Sequence, residues 1–400
     1  MKILWVCGTF LHPTNKGGQI RTLEMLKRLH QRHEIHYVAF AQEGQTEGLA
    51  RAGEYCTRAY AIPHKVPPRT SPAFFGQLAV NLVSGLPLSV SRYVSQPMKD
   101  AIDSLRKKET FDSVVCDFLF PAPNFADLSD VVLFEHNVES MIWQRHVESS
   151  GDPLRRAYFG MQHRRMLECE QKACREAAHV IAVSPIDARK IEQMFGIAKV
   201  SDIKTGVDLD YFEPPPTAQA SVADLVFVGS MDWMPNIDGV RYFVAEILPL
   251  IQAKIPGVKL AIVGRTPSAE IQKLAEKGNI VVTGTVPDIR PYLWGSAVSI
   301  VPLRIGSGTR LKIYESMAAK TAVVSTTIGA EGLIYDDGMN IAIADSPEHF
   351  ARRCVELIGN SELRKNMAQA AFDMVAQRFS WPQVATEFEE ILRSYPARKH

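Results

Sequence analysis

The sequence predicts an α/β protein built from two doubly wound parallel sheets joined by a proline-rich hinge. Three observations carry this. Short buried-strand patterns alternate with helical patterns along both halves of the chain. The alternation stops at EPPPTAQASVAD, residues 213–224, and restarts after it. At 400 residues the chain is too long for one ordinary core.

In the first half, Lys2 to Val6 reads as a buried strand, and Gln19 to Gln31 as a helix with Leu23, Leu26 and Leu29 on one side. Ile35 to Ala39 is the next strand, which completes the unit of a parallel sheet with crossover helices. Further strands are expected at Ser113 to Cys116, Val131 to Glu135 and His179 to Val183, with a long charged helix from Arg155 to Ala177. The apolar run at the start is only about six residues before His12, Pro13 and Lys16 intervene, so a first strand explains it better than a secretory segment.

In the second half, DLVFVGS (224–230), VKLAIVG (258–264), Ile280 to Thr283, AVSIVPL (297–303) and TAVVSTT (321–327) read as strands. Helices are expected from Asn236 to Ala253 and from about Thr309 to Ala319. The domain boundaries follow: an N-terminal domain over 1–212, a linker over 213–223, a C-terminal domain over 224–378, and a last helix over 379–400 that packs back toward the first domain.

Composition narrows the function. Hydrophobic residues are 46% and charged residues 22%, and 45 basic against 44 acidic residues leave a net charge of +1. That balance supplies no bulk attraction to nucleic acid, and no basic tract with interleaved aromatics compensates, so no nucleic-acid partner is expected. The six cysteines form no CxxC pair and read as reduced cytosolic thiols. No stretch reaches the roughly 18 apolar residues of a spanning helix, so any membrane contact is peripheral. The expected location is cytoplasmic, with the inner face of the cytoplasmic membrane as the peripheral site.

RIGSGTRLKIYES, residues 304–316, carries the chemistry. It follows a strand and opens a helix, so its loop sits at the carboxyl edge of a parallel sheet, where open α/β sheets bind ligands. Gly306 and Gly308 let the backbone approach a ligand and turn N–H groups outward, beside Ser307 and Thr309. Those donors and the helix dipole favour an anion, and Arg310 and Lys312 add two full charges. Phosphate or diphosphate is the simplest ligand. Glu315 lies toward the packed side of the helix, where a carboxylate needs a partner. Ribose hydroxyls beyond the diphosphate are suitable donors. A plain glycine turn with surface cations and a salt-bridged glutamate is the alternative.

LRIGSGTRLKIYESMAAKTAVVSTTIGAEGL resembles the nucleotide-sugar motif of the retaining family-four glycosyltransferases, which have the GT-B fold. TFLHPTNKGGQIRTLEMLKRL, IKTGVDLDYFEP and GTVPDIRPYLWGSAVSIVPL are similar to three further family segments, in the family's order. GSMDWMPNIDGVRYF looks most like bacterial sugar transferases of exopolysaccharide and exosortase systems. The resemblance implies two Rossmann-like domains facing a cleft, and transfer of a hexosyl group from a nucleotide-diphosphate sugar with retention, without a metal or other cofactor. Synthesis of exopolysaccharide or another cell-envelope glycan is the implied setting.

The resemblance also implies roles. Glu315 matches the second of two family glutamates, and the first falls at Ser307, so its contact to the donor sugar passes to backbone N–H groups, Ser307 or another residue. A family arginine and lysine on the first loop of the second domain are replaced by Ser230 and Asn236, so Arg310 and Lys312 are expected to take over the diphosphate charge catalytically. Gly17 and Gly18 match the loop that approaches the diphosphate from the first domain, and His136 matches the histidine that contacts the transferred sugar. Arg265, which follows VG at a strand end, reads either as flanking the base or as a surface arginine. Ser184 is a lesser candidate at a strand end, and Asp208 with Asp210 reads as capping rather than as a metal motif.

The acceptor, a glycan or lipid-linked sugar, belongs to the first domain. PAFFGQLAVNLVSGLPLSV (72–90) reads either as a buried helix and its loop or as a lipid- or acceptor-facing surface. Arg155, Arg156, His163, Arg164 and Arg165 read as a solvated face or as an attraction to anionic lipid. Competing functions are a non-catalytic nucleotide-sugar sensor and an epimerase or phosphorylase on the same fold. A dinucleotide oxidoreductase is disfavoured because no GxGxxG follows a strand.

Overall fold

The structure, a computed structural model, describes the chain except residues 15–16, 42–45, 66, 68–70, 216–221, 306–310 and 399–400. It divides into two units: Met1–Thr205 with Val384–His400, and Gly206–Gln383.

The first unit is a seven-stranded parallel sheet of β1 (Lys2–Cys7), β2 (Glu34–Ala41), β3 (Arg58–Pro63), β4 (Ser113–Asp117), β5 (Val131–Glu135), β6 (His179–Ala182) and β7 (Val200–Asp202), in the order β3-β2-β1-β4-β5-β6-β7. The order reverses between β1 and β4, which pair with Trp5 opposite Val115 and Cys7 opposite Asp117. Ligands bind at such a switch point, beyond the carboxyl ends of the strands. All five residues of β5 are buried, as a strand covered on both faces requires. On one face Trp5 and Phe134 pack on Phe388 of the terminal helix Trp381–Ser394, with ring centroids 5.6 and 5.2 Å away.

The second unit is a six-stranded parallel sheet of β8 (Ala223–Val228), β9 (Leu260–Val263), β10 (Ile280–Val282), β11 (Ser296–Val301), β12 (Ala322–Ser325) and β13 (Ala342–Ile343), in the order β10-β9-β8-β11-β12-β13. Its core runs through Leu225, Ile262, Ile300 and Val324 on the strands and Ile313 and Met317 on the helix Leu311–Ala318.

Three strands were not expected: β3, β7 and β13. β3 ends in proline and lies at the sheet edge, and the other two have only three and two residues, too few for a periodic signal. The helix expected over 236–253 starts at Met234 and widens to a π turn at Phe243–Ile247 before continuing as Leu248–Gln252, where Pro249 lacks a donor. The buried reading of 72–90 is corrected. Helix Pro72–Leu82 forms, but Phe75, Val80 and Leu82 on it are exposed.

Among the described residues no helix is long and apolar enough to cross a membrane. All six cysteines are free thiols, five of them buried.

Candidate active site

In the first unit the site forms where β4 and β5 end. Asp117, the last residue of β4, is fully buried and takes three donors on one carboxylate: Trp5 Nε1 at 3.1 Å, Thr22 Oγ1 at 2.9 Å and His136 Nε2 at 2.7 Å. On the other side of the imidazole, Arg21 Nη1 lies 3.1 Å from His136 Nδ1. A guanidinium has no acceptor, so Nδ1 must present its lone pair and the proton sits on Nε2. Burial lowers the His136 pKa below its ordinary value; Asp117 opposes this and Arg21 adds to it. The ring is therefore neutral, with both nitrogens engaged.

Arg21 is itself anchored by Thr205 Oγ1, at 3.0 Å from Nε and 2.6 Å from Nη2. Burial brings its pKa down to about 10, which leaves it charged at neutral pH. Phe118 stacks on His136 with centroids 3.8 Å apart and takes the left-handed backbone at φ 68°. Such backbone persists in a non-glycine residue only where its surroundings over-determine it. Gly18, at the start of helix Gly17–His30, is needed for closeness, since a Cβ there would lie 2.6 Å from Phe118 Cζ and 3.3 Å from His136 Nδ1. Gly17 has open space around it.

Gly17, Gly18, Arg21, Phe118 and His136 line a cavity of about 480 Å³ with Gln19, Tyr93, Phe120 and Asn137. Behind it lies a buried acidic group. Glu170 accepts from the backbone N–H of Glu139 at 2.6 Å and of Ser140 at 3.0 Å. Burial raises the pKa of Glu139 to about 7 and that of Glu135 well above the usual carboxylate range, and the neighbouring carboxylates reinforce both.

In the second unit the chemistry gathers at the carboxyl ends of β8 and β9. A Cβ on Gly264 would fall 1.8 Å from the Gly229 carbonyl oxygen, so only glycine lets the two strand ends meet. A Cβ on Gly229 would come within 2.7 Å of both Asn236 Nδ2 and Lys312 Nζ. Lys312 Nζ donates to Asn236 Oδ1 at 2.8 Å and lies 4.5 Å from the centre of the Phe227 ring. Asn236 Nδ2 donates to the Ser230 carbonyl at 2.8 Å.

Glu315, one turn beyond Lys312, is half-buried, and its carboxylate has no hydrogen-bond partner among the described residues. Burial raises its pKa, and Lys312 partly offsets the shift. Arg304 is drawn aside by Asp238, with Nη2 to Oδ1 at 2.8 Å.

Of the residues proposed from sequence, His136, Gly17 and Gly18 meet at the first cavity, and Lys312 and Glu315 share one helix of the second unit. Arg265 donates Nε to Ser230 Oγ at 2.9 Å and is mostly exposed. Gly306, Ser307, Gly308, Thr309 and Arg310 lie outside the described residues. Ser184 and Asp208 cap helices, accepting from the backbone of Asp187 and Tyr211.

Sequence reasoning missed Asp117 and Arg21. The signal for Asp117 was an acid closing the apolar run SVVC; Arg21 lay within the quoted NKGGQIR. Among the described residues one group has metal-ligand spacing, Glu34, His36 and Glu109, but the Lys2 ammonium pairs with both glutamates there.

Two Rossmann-like units, each with its polar groups at the carboxyl edge of a parallel sheet, define the GT-B class. Residues 15–211 match the sequence model described as Glycosyltransferase Family 4, and residues 223–360 match Glycosyl transferases group 1. The chain belongs to this family of glycosyltransferases.

It is 25% identical over 169 residues to an uncharacterized 44.6 kDa protein in the cps region of Klebsiella pneumoniae, covering 40% of this chain and 44% of that one. It is 26% identical over 224 residues to the phosphatidyl-myo-inositol mannosyltransferase of Mycolicibacterium smegmatis, covering 54% and 56%. The chain thus spans about half the length of these curated relatives. Its fold matches that of Anabaena HepE, crystallised with UDP, at a TM-score of 0.66 and 16% identity, over 98% of this chain and 100% of that one.

Proposed function

We propose that this protein transfers a hexosyl group from a nucleotide-diphosphate sugar to a glycan or lipid-linked acceptor, with retention at the anomeric carbon, in the synthesis of a bacterial surface polysaccharide. The observation that carries the reading is the pairing on one helix of the second unit of the Lys312 ammonium with the unpartnered, half-buried Glu315 carboxylate. A cation at a strand end stabilises the charge that grows on a leaving nucleoside diphosphate. A desolvated acid without a partner is completed by two hydroxyl donors, and ribose supplies them.

In this reading Gly306, Ser307, Gly308 and Thr309 belong to the diphosphate site, with Arg310 as the second cation. Side-chain charge takes the part a divalent metal plays elsewhere, and no resident cofactor is required. Asn236 orients the Lys312 ammonium, and Arg265 flanks the base. In the first unit Gly17 and Gly18 are assigned to nucleotide-sugar binding. His136, neutral and fixed, forms the wall against which the transferred sugar rests, while Arg21 keeps that wall electropositive. The acceptor enters through the cavity lined by Tyr93 and Phe120.

The mannosyltransferase relative is named for a phosphatidylinositol acceptor and the Klebsiella relative for its cps region, and both support a membrane-proximal glycan role at the inner face of the cytoplasmic membrane.

The test is calorimetric titration with UDP, GDP and ADP, followed by a product assay using sugars of the tightest binder. One nucleoside diphosphate is expected to bind, and Lys312→Met to weaken it at least about tenfold, the loss of a charged hydrogen bond. The reading fails if none of the three binds, or if Lys312→Met binds like the parent.

A further inference from the structure

The cavity of the first unit joins two kinds of surface, and one of them is a cation without a contacting counterion. Arg21 stands one turn into helix Gly17–His30, whose first turn holds no acidic residue, so the positive end of the helix and the guanidinium add rather than cancel. Asp117 and Asp187 act on Arg21 from a distance. Among the described residues no carboxylate oxygen lies within 4.0 Å of its nitrogens. Asp117 is spent on Trp5, Thr22 and His136, and Asp187 on Ser184 Oγ at 2.7 Å. A desolvated charge is costly until it is paired, so a guanidinium kept in this state on a cavity wall favours an incoming anion.

The donors of Arg21 are not exhausted either. A guanidinium carries five N–H bonds. Nε and Nη2 each give one to Thr205 Oγ1, and Nη1 gives one to His136 Nδ1. One N–H on each terminal nitrogen is left among the described residues, and Arg21 lines the cavity.

The other surface is aromatic. Phe118 and Phe120 lie nearly parallel, at 19° with centroids 6.3 Å apart, and Tyr93 follows Phe120 at 5.6 Å and 31°. All three residues line the cavity. Such a run offers π faces to the C–H bonds on the apolar side of a pyranose. Gln19, on the same cavity, has a buried Oε1 with no hydrogen-bond partner among the described residues, an acceptor suited to a sugar hydroxyl. Phosphate would use the cation without the rings. A neutral sugar would use the rings without the cation. A sugar acid uses both.

We propose that this cavity holds a hexuronic acid, with its ring along Phe118, Phe120 and Tyr93 and its carboxylate on the remaining N–H groups of Arg21. The two carboxylate oxygens match the two donors, and a guanidinium is the cation best suited to a planar acid. The uronate belongs to the acceptor or to the transferred sugar, and its recognition is the same in both cases. The inference rests on the transferase reading for the origin of the sugar, and on the first unit alone for its charge.

The experiment makes two comparisons on the full chain. Methyl β-glucuronide is set against methyl β-glucoside by saturation-transfer NMR. Glucuronate and glucose linked to UDP, GDP or ADP, according to the base that binds, are set against each other by calorimetry. A preference for the acid of at least about tenfold is expected in one of them, the worth of a charged hydrogen bond. In the glycosides it assigns the uronate to the acceptor, and in the nucleotide sugars to the transferred group. Arg21→Gln should abolish the preference. Phe120→Leu should weaken the acid and the neutral sugar alike, because it removes ring contact and no charge.

The proposal is overturned if the parent shows no preference in either comparison, a result that no misfolded variant can mimic. It is also overturned if Arg21→Gln, with a cooperative melt, keeps the preference. The same holds if Arg21→Gln weakens the free nucleoside diphosphate as much as the uronate, since the guanidinium then serves phosphate. Glucuronide binding without nucleoside diphosphate binding would keep the sugar-acid site and discard the transferase reading.

Discussion

His136 and Asp117 fix each other's chemical state: the imidazole Nε2–H donates across 2.7 Å to a carboxylate that has no exposure to water. Removing the carboxylate strands three buried donors. Asp117→Ala is therefore expected to cost about 3 kcal/mol or more, and Asp117→Asn less, because the amide keeps one acceptor but turns its NH2 toward a donor. Urea unfolding followed by tryptophan fluorescence measures both.

Adjacent glycines should behave in opposite ways. Gly18→Ala sets a methyl 2.6 Å from a Phe118 ring already held between a left-handed backbone and His136. A loss of about 1–3 kcal/mol and a lower turnover are expected. Gly17→Ala meets nothing within 4 Å and should be neutral or slightly stabilising, since alanine favours the helix. Thermal melts of the two variants, run side by side, decide it.

The buried acids give a pH signature. The folded Glu139 carboxyl titrates at about 7, above its ordinary value of 4.5, so the native state binds more protons than the unfolded chain between those values. Stability conferred by the protonated form is present below pH 4.5 and is lost as pH rises through 7. Glu139→Gln, which cannot ionise and keeps the oxygen facing Asn137, should raise stability at pH 8 by about 3 kcal/mol at most and leave it little changed at pH 4.5. Unfolding curves at the two pH values test the difference.

Histidines pull the other way. Burial lowers the pKa of His136, and that of His179 to about 4. The unfolded chain binds the extra protons here, so this contribution to stability is intact above pH 6.5 and fades as pH falls toward 4. His179→Asn should flatten the acid limb of a stability-against-pH plot, measured by guanidinium titration between pH 4 and 7.

Lys312 and Glu315 should separate by probe. Lys312→Met is expected to weaken inorganic diphosphate and nucleoside diphosphate alike, because it removes charge facing phosphate. Glu315→Gln should weaken only the nucleoside form, by about fivefold to tenfold, because its partner is the pentose. Calorimetry with both ligands is the measurement, and equal losses for Glu315→Gln would contradict the assigned division.

The two sheets were legible because their central strands are continuous apolar runs closed by small or polar residues: KILWVC, VVLFE, DLVFVGS and AVSIVPL all lie where their pattern places them. The Lys312–Glu315 helix was legible for the same reason, since a carboxylate among Ile313, Met317 and Ala318 stands out against its register. The Asp117–His136–Arg21 arrangement was not. Its members come from three elements, with His136 19 residues beyond Asp117 and 115 beyond Arg21, and no local spacing records that they meet. The helix Pro72–Leu82 stayed open between a covered and an exposed reading because an apolar pattern carries the same signal in both cases.

The ring of Phe388 against Trp5 and Phe134 bears on how the chain is born. Residues 1–205 of the first unit leave the ribosome ahead of the second unit, yet the segment from Val384 that completes the first unit follows the whole of Gly206–Gln383. Until then Trp5 and Phe134 have one face uncovered. The unit translated first is thus the last to be finished, and a nascent chain arrested before residue 384 would present that apolar wall to chaperones rather than to its own helix.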